Sequence, residues 1–483
     1  MDRDRRFTHR IRLAVLMTVC CVVLSAAAFA TLREGVDLYK RGKIDEAIVV
    51  VKEVIDDQPD DATARRWLGF LLLKKWNYTE ALVHLQKARE LKADGPELRN
   101  NLGMAYLGTA QYPKAIVELE EAVKLKKEFP EALYNLGNAY AALKEYDKAI
   151  EAYTEAVKYA PNDANTRLRL GLALQAKKRL PEAVASYRKA CELAPENAEF
   201  AVNLGVALTE SNDPAGAEVA FRKAVSLAPD LYEARLGLAN VLVMQNKEDE
   251  ALAQYEAAAN LKPEEFASHY RIGDICWKRG EFGKSADAFK AALAINPNDA
   301  RVLAYLGWAQ FKTGDPAEAV ATLKLATDKD PSLLAGWQNL ATIYTIQDNV
   351  PAAITAWEGT VALDPTNAAA LINLGNLYLR TERHEKAAER YRAAIAADDK
   401  SATAYFGLGT AYAAMARTDD AIAQYKKAIG ADPNMAAAYN NLGVELEKKG
   451  RIEDAKAQYR KALQVDPGNP DAKRNLGRFG EES

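Results

Sequence analysis

The residues able to do covalent or metal chemistry are few and scattered. The four histidines, His9, His84, His269 and His384, share no metal-ligand spacing. Cys20 and Cys21 fall in an apolar N-terminal run, while Cys191 and Cys276 lie far from each other along the chain. In the periodic pattern set out below, the latter two fall in units that are not neighbours. That puts them well beyond the ~7 Å between Cα atoms that a disulfide allows, and both read as small core hydrophobes. The segment GEFGKSA, Gly280–Ala286, imitates a phosphate loop, but Lys278 stands where that loop needs its first glycine. Asn77-Tyr78-Thr79 is a glycosylation sequon with meaning only in a eukaryotic secretory host. No catalytic, metal or cofactor constellation emerges, so the chain reads as non-enzymatic. What stands out is chemistry of recognition. Aromatic side chains beside arginines have the composition of protein-interface hot spots, and recurring asparagines offer amides that can both donate to and accept from a peptide backbone.

Those groups must be positioned by something, and the sequence shows what. The stretch YNLGNAYAALKEYDKAIEAY, Tyr134–Tyr153, returns as INLGNLYLRTERHEKAAERY, Ile372–Tyr391, at an interval of seven times thirty-four positions. Windows of that length opened at Ala28 run thirteen times to Asn469 without insertion or deletion. The eighth position is glycine or alanine throughout, from Gly35 to Gly477, and the twentieth is alanine except at Ser285. Position 27 is alanine except at Val54 and Thr360, and position 32 is proline in ten of the thirteen windows. Positions 7, 8 and 11 fall on one helical stripe and positions 20, 24 and 27 on another. Small residues at 8, 20 and 27 let two helices approach closely around a ring at 24, such as Tyr153, Tyr187, Phe221, Tyr255 or Phe289. Proline at 32 stops the second helix, and a following Asn or Asp caps the next. Position 4 is apolar at Leu133, Trp337 and Tyr405 but arginine at Arg65, Arg99, Arg167 and Arg235. The arginine stems are expected to cover the stripe while their heads reach water.

This pattern resembles the tetratricopeptide repeat family, whose signature has the same period and the same small, aromatic and proline positions. The resemblance covers residues 28–469. It implies an all-α fold: a right-handed superhelical solenoid of stacked helix-turn-helix repeats, about 13 full repeats, with residues 470–483 as a truncated capping helix. Glu34 departs from the leucine or isoleucine of position 7 elsewhere, as suits a terminal repeat with one face exposed. The domain reading is a signal peptide or N-terminal anchor over 1–30, a solenoid over 31–469 and the cap over 470–483.

Bulk composition narrows the partners. The chain has 483 residues, 49% hydrophobic and 27% charged, with a net charge of −3 from 64 basic and 67 acidic residues interleaved along its length. No basic footprint for nucleic acid is visible. The start is different in kind. Five arginines precede an uncharged run from Leu13 to Leu32 that ends Ala28-Phe29-Ala30, a pattern fitting cleavage after Ala30 or an uncleaved membrane anchor. Either choice points to an exported, periplasmic or membrane-associated protein of the bacterial cell envelope.

On the first helix, positions 2, 5, 6, 9 and 13 face away from the core stripe, and the resemblance makes them the lining of a concave groove. Position 6 holds Asn101, Asn135, Asn203, Asn339, Asn373, Asn441 and Asn475. These asparagines form either a ladder for a peptide backbone or a consensus for local packing. Trp67, Trp76, Trp277 and Trp308 lie off the core pattern, with Trp308 in mid-groove. Around it the same stripe carries Tyr270, Arg271, Asp274, Arg301 and Lys312, with Lys278 at its end and Trp277 and Phe311 at its edge. This patch is the candidate partner anchor, against packing on a neighbouring helix or a small-ligand pocket. Lysine never occupies position 5, which disfavours the family's clamp for chaperone tails. The expected function is a scaffold assembling or coupling an envelope complex: pilus, secretion, polysaccharide export or gliding machinery. A regulatory or targeting subunit for an enzyme such as a glycosyltransferase on another chain, and a membrane-anchored import receptor with a cytosolic solenoid, are the alternatives. The expected partners are other proteins or extended peptide segments, with no cofactor, no metal and no nucleic acid.

Overall fold

The computed structural model describes residues 32–480. The expected signal or anchor over 1–30 lies outside the described residues, and among those described no helix is long and apolar enough to cross a membrane. Each window becomes two helices, as in Pro130–Ala142 followed by Tyr146–Tyr159. Thirteen such pairs run to Val465, and the eight-residue helix Pro470–Gly477 follows. Their starts are set locally. The Asp61 carboxylate accepts from the Thr63 and Ala64 amides, and Asn197, Ser401 and Asn469 cap their helices in the same way.

Every turn inside a pair is closed by one residue at position 15 in the left-handed region. Glycine supplies it at Gly42, Gly280, Gly314 and Gly450. Elsewhere a side chain is held at φ between 56° and 62°, from Trp76 and Ala110 to Glu382 and Ala416. An L-residue there costs about 1–2 kcal/mol, a strain the flanking helices must outweigh.

The core is the expected one. The position-20 alanines are fully buried, and the rings of Tyr153, Tyr187, Tyr391, Tyr425 and Tyr459 sit at 1% exposure or less. A Cβ added at Gly137 would come within 2.5 Å of Tyr153, and one at Gly443 within 2.5 Å of Tyr459, which is why position 8 stays small. The two polar departures, Ser285 and Thr360, are both satisfied by their own hydroxyls. Ser285 donates to the Gly273 carbonyl at 2.9 Å, and Thr360 donates to Ala356 at 3.0 Å.

Position 4 behaves differently from expectation. Its arginine heads do not simply reach water. Arg65 donates to the Pro59 carbonyl at 2.6 Å and Arg235 to that of Pro229 at 2.7 Å. Trp337 reaches Pro331 at 2.9 Å, and the His269 ring nitrogen lies 3.0 Å from the Pro263 carbonyl. In these repeats position 4 is tied to the helix-ending proline before it, whichever of the three polar side chains it carries. Arg99 instead joins Glu118, which is 6% exposed and also bound by Arg89.

The described residues group into two compact units that divide between Gln254 and Tyr255, inside the helix Glu248–Leu261 of the seventh repeat. Within each unit, first helices of successive repeats touch one another directly, whereas second helices of successive repeats do so far less. The first helices therefore crowd the inner side of each stack. Tyrosines at position 11 add a polar tie between repeats: Tyr140 donates to Glu120 and Tyr378 to Glu358, each at 2.5 Å.

Candidate functional site

The inner stripe of unit 1 starts with an aromatic cluster. Tyr39, Trp67 and Phe70 meet edge to face at centroid distances of 5.2–6.0 Å. Trp67 and Phe70 border a cleft of about 410 Å³ that also takes in Arg66, Glu97, Asn100, Asn101, Phe129 and Glu131. A neighbouring cavity of about 470 Å³ shares Phe70, Asn100, Asn101 and Glu131 and extends to Tyr134, Asn135 and Asp163. The sequence marks Trp67 only as off the core pattern, and Phe70, Tyr39 and Asn100 not at all. Their signal is Trp67 itself, which holds position 6 where asparagine is the commonest residue.

The asparagines divide into those bonded within the protein and those that are not. In unit 1, Asn101 is 9% exposed and Asn135 8%, and the Asn135 amide donates to Asn100 at 2.8 Å. Asn203 donates to the Glu199 carbonyl of its own helix. At the end of unit 2 the same device recurs, with Asn475 donating to Asn440 and Asn440 to Asn441. Asn339 and Asn373 are half-buried, and their side-chain amides have no hydrogen bond among the described residues. Free ladder amides therefore stand in mid-unit 2.

The predicted patch lies at the start of unit 2, on the helices Phe266–Lys278 and Ala300–Thr313. Trp277 meets Tyr305 edge-on at 5.4 Å, and Tyr305 stacks on the buried Phe289 at 5.6 Å. Tyr270 stacks on Phe266 at 5.7 Å, and Trp308 tilts against Phe311 at 5.5 Å. Trp277, Trp308, Tyr270 and Phe311 are half-buried, so each has a packed side and an open one. The Trp277 indole N–H is buried without a partner. Tyr305 was not expected here; it takes the position-6 place usually held by asparagine and bridges Trp277 to the core.

The charges of the patch are unequal. Asp274 is bound by Lys278 at 2.8 Å. Arg271 lies over the Tyr270 ring at 6.0 Å and Lys312 over Trp308 at 5.1 Å. Arg271, Arg301 and Lys312 are all exposed, and no carboxylate pairs with them among the described residues. The Asp299 side chain is committed to capping, accepting from the Arg301 and Val302 amides at 3.1 Å. Desolvation raises the Tyr270 hydroxyl above its usual range, so it stays a neutral donor. Among the described residues no group of three or more His, Cys, Asp or Glu could hold a metal. Cys276 is buried, Cys191 half-buried, and neither is in a disulfide.

A tetratricopeptide repeat model matches residues 32–96, 202–266, 236–300, 341–402, 372–436, 406–470 and 440–482. Two further tetratricopeptide repeat models match 130–163 and 277–342, and a TPR repeat model matches 111–144 and 174–212. No curated protein matches the chain. Similar solved structures include YrrB, described as a TPR protein with an unusual peptide-binding site. It is 24% identical, with 38% of this chain and 95% of that one covered and a TM-score of 0.35. The Cut9-Hcn1 hetero-tetramer of APC/C is 15% identical, covering 92% and 95%, with a TM-score of 0.33. MamA from Desulfovibrio magneticus RS-1 is 25% identical, covering 35% and 96%, also at 0.33. The unbroken period, the helix pairs and the matches along most of the chain lead to one conclusion: this protein belongs to the tetratricopeptide repeat family.

Proposed function

We propose that this chain is a non-enzymatic scaffold that holds protein segments on the inner faces of its repeat stacks, and that it does so in the bacterial cell envelope. The observation that carries the binding role is the half-buried patch of Tyr270, Trp277, Trp308 and Phe311 beside three cations that lack acidic partners. Aromatic rings fixed on one side by packing lose little entropy when a partner covers the other, which makes them efficient anchors. The envelope location rests on the arginine-led apolar start of the sequence alone. The machinery assembled there is of the pilus, secretion, polysaccharide-export or gliding kind.

The test is affinity capture after crosslinking in cells, with wild type and Trp308→Ala compared and partners identified by mass spectrometry. Loss of a defined set of envelope proteins in the variant supports the reading. Identical partner sets contradict binding at this patch. Protease added to intact and permeabilised cells tests the location: a solenoid cut only once the cytoplasm is opened rules out export.

A further inference from the structure

The first-helix stripes of repeats 3–7 and of repeats 9–13 differ in charge, whereas those of repeats 1 and 2 carry the bases Arg33, Lys40, Arg66 and Lys74. At positions 2, 5, 6, 9 and 13 of repeats 3–7, Glu97, Glu131, Glu199, Glu210 and Glu233 stand against the single base Arg169. In repeats 9–13 the same positions hold Arg301, Lys312, Arg380 and Lys448 and not one acid. Arg380 and Lys448 are answered from outside the stripe by Asp348 and Glu445. Arg271, Arg301 and Lys312 have no ion pair among the described residues; they are spread over two successive first helices, with Lys312 over the Trp308 ring and Arg271 over that of Tyr270.

We infer that the stripe of repeats 8 and 9 takes an acidic segment of a partner protein, with its carboxylates on Arg271, Arg301 and Lys312 and an apolar side chain against Trp308. This rests on the scaffold reading and adds the chemistry of the occupant. Leaving three cations uncompensated on an open face maintains a local positive potential within a chain of net charge −3. An acidic segment gains from that potential, while a basic one is repelled. Guanidiniums such as Arg271 and Arg301 bind carboxylates with two parallel hydrogen bonds, which adds direction to the attraction. The stripe continues into the half-buried amides of Asn339 and Asn373, which suit a peptide backbone better than a run of phosphates. A nucleic acid would need more cations than this patch provides.

The experiment uses the full chain and labelled peptides of about twelve residues in which glutamate alternates with leucine and phenylalanine. The counterpart peptide has lysine for glutamate, and a twelve-base oligo-dT serves as the third probe. The acidic peptide is expected to bind and the lysine peptide not to. Binding should weaken from about 50 mM to about 300 mM salt. The variant Arg271→Glu/Arg301→Glu should bind the acidic peptide at least about tenfold more weakly. Lys284→Glu/Lys290→Glu, on the second helix of repeat 8, should bind as wild type does. Should the double charge reversal misfold by circular dichroism, Arg271→Gln/Arg301→Gln replaces it, with the same direction expected.

Equal or tighter binding of the lysine peptide or of oligo-dT overturns the inference, as does indifference to the charge reversal. If the acidic peptide fails while Trp308→Ala still loses its crosslinked partners, the scaffold reading stands and the acidic chemistry falls. If both experiments fail, both readings fall.

Discussion

The two units repeat the same core pattern and differ on their first-helix faces. In unit 1 the position-6 amides are buried or bonded internally, and the aromatic cluster of Tyr39, Trp67 and Phe70 borders clefts among repeats 2–4. In unit 2 the side-chain amides of Asn339 and Asn373 have no hydrogen bond among the described residues, and the rings around Trp308 sit beside cations without an ion pair there, as Phe70 sits beside Lys74 in unit 1. The core positions serve stacking and hold nearly the same residues in every repeat. The stripe positions vary more from repeat to repeat, and some of them, such as Asn100 with Asn135 and Tyr305 with Trp277, also tie neighbouring repeats together.

If that division is right, matched core changes cost the same in either unit. Tyr153 donates to Asn138 at 2.7 Å and Tyr391 to Asn376 at 2.5 Å, each packed against the position-8 glycine of its own repeat. Tyr153→Ala and Tyr391→Ala should each destabilise by about 3–5 kcal/mol, read by hydrogen exchange of the flanking helices. A disparity of more than about 2 kcal/mol would break the claim of a common core. A smaller effect belongs to unit 1 alone. Glu118→Gln leaves Arg89 and Arg99 facing a neutral amide; with those arginines 37% and 21% exposed, the loss should be about 1–3 kcal/mol. Positions equivalent to Glu118 in repeats 8 and 10 are Ala288 and Ala356, so unit 2 has no such network there.

The turn strain is common to both units. Lys144→Gly and Glu382→Gly should each stabilise by about 0.5–1 kcal/mol, measured as a rise in urea midpoint. No gain in either would mean that position 15 is not strained. The smallest effect concerns acid. Hydrogen bonds from Lys247 and Arg222 hold the Glu218 carboxyl down to about 2, and Lys52 and Arg99 lower those of Glu80 and Asp94. A folded-state pKa below the unfolded one adds stability that is complete above the ordinary carboxylate range and lost as pH falls toward 2. All three groups are in unit 1, so limited proteolysis should open unit 1 before unit 2 as pH falls from about 5 to about 2. Cleavage in unit 2 first would contradict this.

The fold was legible because its information is local and repeated. Glycine at 8, alanine at 20 and a ring at 24 identify two packed helices without reference to any distant residue. The polar partners were hidden because they lie in the adjoining repeat. Arg65 reads as an amphipathic surface residue until the Pro59 carbonyl is seen beside it. Asn135 reads as a groove amide until Asn100, on the first helix of the preceding repeat, is found to accept from it. The left-handed turn was masked for another reason: only four of its residues are glycine, so composition gave no sign of it. The division near Gln254 has no sequence mark, since the period passes through it unbroken. Trp308 and its neighbours could be picked out because they break the repeat's own consensus. Tyr305 breaks it too, and its role as the bridge between Trp277 and Phe289 required the packed structure.

The central claim is that partners lie on the first helices of unit 2. The direct measurement is hydrogen exchange of the full chain, free and with a partner recovered from the crosslinking experiment. The account predicts added protection in Phe266–Lys278 and Ala300–Thr313, with the second helices Phe282–Ile295 and Pro316–Lys329 unchanged. Protection confined to those second helices would place the partner on the opposite face and contradict it.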